Sequence, residues 1–403
     1  MRRISYFIVI VLCLAILFVD VLAFYWLQSI TQLFLSPLIK NIIHITFWFF
    51  TIGLIGAIFG LKVRMDHISE RRRQWLVSFL YGLGISSFIP KLIFVIVISV
   101  LYFMNFMFSD TASLLIVPLV GLFSGFFPFG MILYGVFVSL YRFKVYHENI
   151  TFKGLPKELK GLRIVHISDL HLGSFNYRYH IFDKAIKIIN RLGPDYIFFT
   201  GDLVNNFAWE LKGWKDTLDK LSAKHGKYAV LGNHDYGDYS AWKSEESKQQ
   251  NFETIKKFHK DIGFKLLLNE AEIVHHDGEQ MAIVGVENWG NPPYKKYGDL
   301  KKALESVNDV PFKILLSHDP CHWGEEVVGK TNVALTLSGH THGMQFGIKL
   351  KQYEWSPSKY RYKEWGGLYQ NGEQYIYVNR GLGWLGLPAR LGMRPEITFI
   401  TFD

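Results

Sequence analysis

The chain has 403 residues, enough for two or three domains, and 49% of them are hydrophobic. Its formal net charge of +9 is uneven, since residues 1–150 carry +6 of it and the remainder only +3. This distribution argues against a nucleic-acid-binding surface on the second part. The two cysteines, Cys13 and Cys321, lie in different parts of the chain, so we expect no disulfide framework, and a reducing compartment fits.

Long apolar runs in residues 1–143 predict a transmembrane region of about four helices, because about 20 apolar residues cross a bilayer. The first run is too long for the core of a signal peptide and lacks a small-residue cleavage site. Pro90 and Lys91 interrupt the third run, which leaves three spans as an alternative. We interpret Lys91 as part of a kink, with lipid or ion binding as the alternative, and it requires a partner or access to the interface. The runs are Ile4–Leu27, Ile42–Leu61, Trp75–Phe108 and Ala112–Leu140.

The basic residues outside these runs predict the orientation. Residues 1–3 include two arginines, residues 62–73 carry five Lys or Arg, and Arg142 and Lys144 follow the fourth run. The connection at residues 109–111 carries none. Because basic loops stay in the cytoplasm, we expect both termini and residues 163–403 on that side of the membrane.

Residues 163–403 predict an α/β domain, joined to the membrane part by a linker at residues 144–162. Short apolar runs typical of strands alternate with helical patterns at residues 181–192, 209–223 and 252–262. This order favours mixed β-sheets accompanied by helices. The predicted strands have the sequences LRIVHIS, PDYIFFT, YAVLG, MAIVGVE, FKILLS, VALTLS, QYIYVN and EITFITF.

Polar side chains that can bind metal follow five of these predicted strands. Open α/β sheets bind ligands in the crevice at the carboxyl ends of their strands, so we expect these residues to converge. They are Asp169 and His171 in DLHLG, Asp202 in GDLV, Asn233, His234 and Asp235 in GNHDY, His318 in HDP, and His340 and His342 in GHTHG.

The composition of this set predicts the type of site. Carboxylate, amide and imidazole groups without thiolates suit Mn, Fe or Zn, and argue against a structural zinc site. Their number exceeds the needs of one ion and suits two ions about 3.5–4 Å apart that share a carboxylate. An HxH or GD motif alone would be equally compatible with an ordinary strand end, but five such blocks are not. We interpret seven other histidines as packing or surface residues, namely His166, His180, His225, His259, His275, His276 and His322.

These blocks, together with YRYKEWGGLY and VNRGLG, resemble the calcineurin-like metallophosphoesterases over roughly residues 160–403. More narrowly, they look like the membrane-anchored bacterial branch, which includes a UDP-diacylglucosamine pyrophosphatase. The resemblance implies a sandwich of two mixed β-sheets flanked by helices, a hydrolase of ester or pyrophosphate bonds, and a place in the bacterial inner membrane. The family commonly reads GHTHGGQ, and Met344 stands where the second glycine is expected.

The resemblance also implies a role for each residue. It gives His234 the role of contacting the phosphate and protonating the leaving oxygen, a role that suits an imidazole, and it places Asp235 beside it as a second catalytic residue. It assigns one ion to Asp169, His171, Asp202 and His342, and the other to Asp202, Asn233, His318 and His340.

The sequence therefore predicts a membrane-anchored phosphoesterase with two divalent ions, manganese first, with Fe, Zn or Mg as alternatives. The anchor favours a lipid-linked phosphate ester or pyrophosphate, since tethering raises the effective concentration of substrates in the bilayer. Two other functions remain open: a phosphodiesterase of soluble nucleotides, and a non-catalytic sensor of phosphate ligands. No nucleic-acid polymer is expected as a partner, and the oligomeric state is not predicted.

Two segments and two arginines are further candidates for substrate contacts. Residues 235–250 are long enough to cover a metal site. Residues 349–369 mix basic and aromatic side chains, which suits a membrane interface or, equally, a solvated loop with packed aromatics. Arg380 and Arg390 are either a bidentate clamp for a second phosphate or surface residues.

Overall fold

The computed structural model describes residues 5–34, 36–108, 113–175, 178–292, 294–350 and 353–403. The contacts within the chain define two compact units. One comprises Met1–Val138 with Gly386–Ala389, and the other comprises Ser139–Leu385 with Arg390–Asp403.

Among its described residues, the first unit has four helices that are long and apolar enough to span a membrane, which agrees with the predicted number of spans. Pro90 and Lys91 lie inside the third helix, so the interruption in the sequence is not the end of a span. Residues 1–3 and 109–111, on which part of the predicted orientation depends, lie outside the described residues. The helices are α1 Tyr6–Phe34, α2 Pro37–Arg64, α3 Glu70–Phe108 and α4 Ser113–Phe137.

Lys91 has an acidic partner on the first helix. Its Nζ atom lies 2.8 Å from Asp20 Oδ1, and Thr51 Oγ1 donates to Asp20 Oδ2 at 2.5 Å. Asp20 is 1% exposed, so its charge would be costly in a bilayer without this neutralisation. The pair explains how α3 accommodates a lysine among apolar residues.

The second unit is a sandwich of two six-stranded mixed sheets. The first sheet has the order β1-β14-β2-β3-β4-β5, in which β14 runs antiparallel to β2 and the other neighbours are parallel. Its strands are β1 Lys144–Ile150, β2 Arg163–Ile167, β3 Tyr196–Phe199, β4 Gly226–Ala229, β5 Lys265–Leu266 and β14 Glu396–Phe402.

The second sheet has the order β12-β13-β9-β8-β7-β6, with parallel pairing from β13 to β7 and antiparallel strands at both edges. Its strands are β6 Glu270–His276, β7 Glu279–Gly285, β8 Lys313–Leu316, β9 Leu335–Ser338, β12 Gly367–Asn371 and β13 Gln374–Val378. A separate hairpin is formed by β10 Ile348–Leu350 and β11 Tyr353–Trp355.

Alternation of side chains along the strands builds the layers. Ile164 of β2 and Ile314 of β8 are fully buried in the core between the two sheets. Val165, the next residue on β2, faces the opposite side and packs with Ile189 and Ile255 from helices on the outer face. The α-helices of the second unit are α5 Leu172–Phe175, α6 His180–Leu192, α7 Lys215–Leu218, α8 Glu245–Asp261 and α9 Leu300–Leu304.

The predicted elements are observed with one exception. All eight predicted strand sequences contain a strand, and the helices expected at residues 181–192 and 252–262 correspond to α6 and α8. The helix predicted at residues 209–223 is wrong, since only a 3-10 turn at Ala208–Leu211 and the four residues of α7 are helical. Gly213 lies between them with φ 81°, a left-handed conformation that a continuous helix excludes.

The segment at residues 144–162, expected as a linker, begins with a strand. Residues 144–150 form β1 at the edge of the first sheet and pair in parallel with β14, from Lys144 opposite Glu396 to Ile150 opposite Phe402. The edge strand therefore ties the start of the second unit to its carboxyl-terminal strand.

Candidate metal centre

The candidate ligands follow the carboxyl ends of neighbouring parallel strands in each sheet. Adjacent parallel strands β2, β3 and β4 end before Asp169, Asp202 and Asn233, respectively. In the second sheet, adjacent parallel strands β8 and β9 end before His318 and His340. Parallel pairing places these strand ends side by side, as the sequence predicts.

The backbone at five of the candidate positions adopts the left-handed conformation that non-glycine residues avoid. This conformation costs about 1–2 kcal/mol per residue and persists only where the surroundings fix it, which is common at functional sites. The positive φ angles are 52° at Asp169, 45° at His171, 59° at Asp202, 72° at His340 and 51° at His342.

Asp235 fixes the turn that carries Asp202. Its carboxylate accepts hydrogen bonds from the backbone N–H groups of Asp202 at 3.0 Å, Leu203 at 2.9 Å, Val204 at 3.2 Å and Gly232 at 3.0 Å. The residue is fully buried. These contacts hold the backbone around Asp202, and the catalytic role expected for Asp235 beside His234 stays a prediction.

The first cluster consists of Asp169, His171 and His342, each of which offers a donor atom within 4.8 Å of the other two. His171 Nε2 lies 3.1 Å from His342 Nε2, and His342 Nε2 lies 3.2 Å from Asp169 Oδ1. All three residues are buried, so these donor atoms face one another away from bulk solvent.

The second cluster consists of Asp202, His318 and His340. His318 Nε2 lies 3.2 Å from His340 Nδ1 and 3.1 Å from Asn233 Oδ1. Asn233 Nδ2 donates to the Tyr239 hydroxyl at 2.8 Å, which turns the amide oxygen toward the cluster. The amide therefore adds a fourth oxygen or nitrogen donor to this group.

Asp202 lies between the two clusters. Its Oδ2 atom is 3.3 Å from His318 Nε2 in the second cluster and 3.5 Å from His171 Nε2 in the first. A carboxylate in this position can bridge two ions, as two-metal hydrolases require.

The donor set fits divalent metals. In each cluster two imidazole nitrogens face each other beside a carboxylate oxygen, so ligand atoms that divalent ions bind converge at one place. An ion between them would satisfy both lone pairs, and the neighbouring carboxylates would balance its charge. The two clusters are thus candidate sites for a dinuclear centre.

Partners outside the clusters orient three of the imidazoles. His318 Nδ1 donates to the Thr200 carbonyl at 2.6 Å, and His171 Nδ1 lies 3.0 Å from Asn205 Oδ1. His340 Nε2 lies 2.9 Å from the Tyr362 hydroxyl. In each ring this contact leaves the other nitrogen for the cluster, the usual arrangement around metal-bound histidines.

Asn205 is a site residue that the sequence did not single out. Besides contacting His171, it accepts a hydrogen bond from His234 Nδ1 at its backbone carbonyl, at 2.7 Å. Its own backbone N–H donates to Glu210 Oε2 at 2.6 Å, and its side-chain amide donates to Ser174 Oγ at 3.1 Å. Its position directly after GDLV was the available signal.

His234 presents one nitrogen to an external group. Nδ1 is held by Asn205, and the backbone N–H of His234 donates to Asp202 Oδ1 at 2.9 Å. Its ring centroid is 5.0 Å from that of His171, and the residue is half-buried. Nε2 is therefore the nitrogen available to a phosphoryl group beside the first cluster.

The buried environment separates the charge states of the imidazoles. Burial lowers the pKa of His171 to about 3 and that of His340 to about 4, so both are neutral at pH 7. Burial acts in the same direction on His318, but the Asp202 carboxylate outweighs it and raises the pKa of His318 to about 10. Against the effect of burial, His318 and His234 hold the pKa of Asp202 well below its usual value.

Three tyrosines from separate segments surround the imidazoles, and we call them the tyrosine rim. The ring of Tyr239 lies 4.7 Å from that of His234, and the ring of Tyr294 lies 5.0 Å from that of His340. Tyr362 contacts His340 through its hydroxyl. The 235–250 segment thus reaches the centre through Tyr239, and the 349–369 segment reaches it through Tyr362.

Arg380 and Arg390 are neither a phosphate clamp nor surface residues, and both expectations are wrong. Arg380 is 1% exposed and pairs with Glu396 at 2.7 Å and Glu354 at 2.8 Å. Arg390 is fully buried and donates to the carbonyl of Arg380 at 2.8 Å and that of Gly383 at 3.0 Å. Both guanidinium groups therefore bind partners inside the fold, and among the described residues Arg380 Nε has no hydrogen-bond partner.

Met344 and the seven remaining histidines lie where the sequence can be compared with the structure. Met344 has φ 46° and is 45% exposed, so a side chain stands where the local backbone favours glycine. The seven histidines expected to be structural lie outside both clusters. Among them, His166, His259 and His322 are fully buried.

Comparisons with known proteins find matches for both parts of the chain. A family model described as "Calcineurin-like phosphoesterase" matches residues 162–344, and one described as "Probable Calcineurin-like phosphoesterase, transmembrane domain" matches residues 1–139. The "Uncharacterized metallophosphoesterase YkuE" of Bacillus subtilis (strain 168) is 33% identical over 256 residues, which cover 61% of this chain and 81% of that protein.

Two vertebrate relatives are named as transmembrane proteins. The "Transmembrane protein with metallophosphoesterase domain" of Danio rerio is 28% identical over 66% of this chain and 59% of its own length. Its namesake from Bos taurus is 31% identical over 60% of this chain and 53% of its own length, so the chain spans little more than half of either. The chain therefore belongs to the calcineurin-like metallophosphoesterases, as an integral membrane member with a four-helix domain, and the predicted enzyme class is confirmed.

Proposed function

We propose that the chain uses two divalent ions to hydrolyse a phosphate ester or pyrophosphate bond of a lipid-linked substrate. The observation that carries the proposal is the position of Asp202, whose Oδ2 atom lies within 3.5 Å of a histidine from each cluster. In this scheme Asp169, His171, Asp202 and His342 hold one ion, and Asp202, Asn233, His318 and His340 hold the other.

Two bound divalent ions would supply Lewis acidity and a nucleophile from water near neutral pH. Carboxylate, amide and imidazole ligands without thiolates are compatible with Mn, Fe or Zn, and we propose manganese first, with Mg as a further alternative. Asp202 would be the carboxylate shared by both ligand sets, and its charge would neutralise part of the charge of the ions. Asp235 holds the backbone of Asp202 in place through its four N–H contacts.

His234 acts as the proton donor to the leaving oxygen in this scheme. Its Nδ1 atom is anchored on the Asn205 carbonyl, so a protonated ring directs Nε2–H outward. A general acid must lie within hydrogen-bond reach of the departing atom, and His234 flanks the first cluster. The leaving group would accordingly lie on the His234 side of the bound phosphoryl group.

The membrane unit supports a substrate that resides in the bilayer. An enzyme with four spans stays at the membrane surface, where lipid-linked substrates are concentrated. The narrower resemblance to the UDP-diacylglucosamine pyrophosphatase branch favours a pyrophosphate among the possible bonds. The same resemblance favours the inner membrane of a bacterial cell. We place the catalytic unit on its cytoplasmic side because residues 62–73 are rich in Lys and Arg.

A substrate panel tests this function. The full chain, purified in detergent and loaded with Mn²⁺, is assayed on a lipid-linked pyrophosphate, a phospholipid, a cyclic nucleotide and an aryl phosphate diester. We expect metal-dependent turnover with preference for the lipid-linked pyrophosphate. Preference for the cyclic nucleotide would contradict the lipid assignment. No turnover with Mn²⁺, Fe²⁺, Zn²⁺ or Mg²⁺ would contradict the hydrolase itself and favour a phosphate sensor.

Protease accessibility in sealed inside-out and right-side-out vesicles tests the orientation. Cleavage of residues 163–403 is expected only where the cytoplasmic face is exposed. Cleavage from the opposite face alone would overturn the cytoplasmic placement.

A further inference from the structure

We propose that Arg361 forms an anion-binding subsite beside the metal centre, which takes a second anionic group of the substrate. The inference rests on the proposed function, in that the metals are taken to hold the phosphoryl group under attack. It extends that function by requiring that the substrate carry further negative charge at a fixed distance from this phosphoryl group.

Arg361 is held between two members of the tyrosine rim. Its Cζ atom lies 5.4 Å from the ring centroid of Tyr294 and 5.4 Å from that of Tyr362. Its Nη2 atom donates to the Tyr294 hydroxyl at 3.2 Å. Both tyrosines contact His340, a ligand candidate of the second ion. The guanidinium is therefore one side chain away from the metal centre.

The charge of Arg361 is available to a ligand. The residue is exposed, and within the part of the chain that the structure describes it makes no ion pair. Neighbouring cations of the same segment differ, since Lys349 pairs with Glu354 at 3.1 Å and Lys363 approaches Glu364 at 4.0 Å. A planar guanidinium stacked on aromatic rings keeps its fork of donors oriented for an oxyanion.

The segments that carry the subsite are tied to the metal-binding turns. The Asn291 N–H donates to Asp319 Oδ2 at 3.0 Å, which fixes the loop of Tyr294 next to His318. Thr341, between His340 and His342, donates through Oγ1 to the Trp365 carbonyl at 2.6 Å. Ser356 Oγ donates to the Gly343 carbonyl at 2.7 Å. These bonds hold Arg361 at a set distance from His340, so the subsite selects for spacing as well as charge.

The subsite replaces the clamp that the sequence suggested at Arg380 and Arg390. Those two arginines are buried and bound by protein partners, with Glu396 on Arg380 and the Arg380 carbonyl on Arg390, whereas Arg361 is exposed next to the tyrosine rim. A purely structural role for Arg361, as a support for Tyr294 and hence for His340, makes a different prediction. Its loss would then weaken every ligand of the metal centre to the same degree.

Binding of two phosphonates distinguishes these roles. Isothermal titration of the metal-loaded full chain in detergent compares methylenediphosphonate, which carries two phosphonate groups, with methylphosphonate, which carries one. We expect Arg361→Gln to weaken methylenediphosphonate about 10–100-fold, as for the loss of a hydrogen-bonded charge, and methylphosphonate less than about twofold. Arg361→Lys should retain part of the affinity, because it keeps the charge but not the fork.

Two further variants complete the design. Lys363→Gln removes a neighbouring exposed charge and should change neither affinity. Tyr294→Phe keeps the ring but removes the hydroxyl that accepts from Arg361, and should weaken methylenediphosphonate in the same direction to a smaller extent. Metal content is measured on every variant and should equal that of the unaltered chain.

Equal weakening of both phosphonates by Arg361→Gln, or no weakening of either, would overturn the subsite. Failure of the unaltered chain to bind methylenediphosphonate more tightly than methylphosphonate would also overturn it. The proposed hydrolase fails separately: a chain that binds methylenediphosphonate through Arg361 yet turns over no substrate has the subsite without the activity.

Discussion

At the scale of single residues, the metal centre combines strained backbone with ordinary hydrogen bonds that hold it. Asp169, Asp202 and His340 adopt a left-handed backbone conformation, which glycine would adopt at lower cost. The convergence of the candidate ligands could be predicted, because each follows a recognisable strand. Asn205 could not, because a buried asparagine that orients two histidines looks like any loop asparagine in the sequence.

Asn205→Ala should lower both metal affinity and turnover about 10–100-fold, the range found when partners of metal ligands are removed. The substitution deletes the amide that orients His171 but keeps the carbonyl that holds His234. Asn332→Ala, an exposed asparagine before β9, is the matched control and should change neither quantity. Unchanged metal affinity and turnover in Asn205→Ala would contradict the role assigned to the side chain.

Met344→Gly should stabilise the protein. Met344 has φ 46°, which costs about 1–2 kcal/mol for a residue with a Cβ atom, although the greater freedom of glycine in the unfolded chain offsets part of the gain. A gain of about 1 kcal/mol corresponds to a rise of about 2–4 °C in the thermal midpoint of a unit of this size. Met344→Ala retains the Cβ atom and should give no such gain. A lower midpoint for the glycine variant would show that the side chain contributes more than the strain removes.

Metal binding at pH 7 should release the proton that His318 carries. The pKa of His318, raised to about 10 by Asp202, leaves its ring protonated in the metal-free protein, and the ion must displace that proton. His171 and His340, with pKa values of about 3 and 4, are already neutral and contribute none. Metal affinity should therefore rise with pH between 7 and about 10. Titration calorimetry in buffers of different ionisation enthalpy measures the proton, and zero release would contradict the charged Asp202–His318 pair.

At the scale of elements, the sequence predicts the strands that carry continuous apolar runs and misses the others. Eight strands were evident, whereas β1, β5, β6, β10, β11 and β12 were not. The sequence of β1, KVYHENI, is largely polar, and its partner is the distant strand β14. The tyrosine rim has the same character, since Tyr239, Tyr294 and Tyr362 come from three segments that only the fold brings together.

The pairing of α1 with α3 through Asp20 and Lys91 makes a prediction at this scale. Lys91→Met leaves the Asp20 carboxylate buried without its cation and should lower the stability of the membrane unit by about 3 kcal/mol. The double variant Asp20→Asn, Lys91→Met removes both charges and should recover most of that loss. Thermal unfolding in detergent measures both, with Lys40→Met near the start of α2 as control. Equal stability of the two variants would contradict the ion pair as a stabilising contact.

At the scale of the whole molecule, the second unit brings the carboxyl ends of parallel strands from two sheets to a common site, and the first unit supplies helices that can span a bilayer. The four spans and the mixed α/β order could be predicted from apolar periodicity, and the sandwich from the resemblance that the motifs carry. The burial of Arg380 and Arg390 could not be predicted, since a buried arginine that pairs with Glu396 looks the same in the sequence as an arginine at the surface.

Metal content and turnover, measured together in Asp202→Asn, test directly whether Asp202 bridges two ions. The unaltered chain should hold about two divalent ions. Asp202→Asn should hold at most about one and lose at least about 100-fold in turnover, more than the loss of an outer partner causes. Asp216→Asn, an exposed aspartate on α7, should match the unaltered chain. An Asp202→Asn protein that binds two ions and retains full metal-dependent turnover would contradict the account.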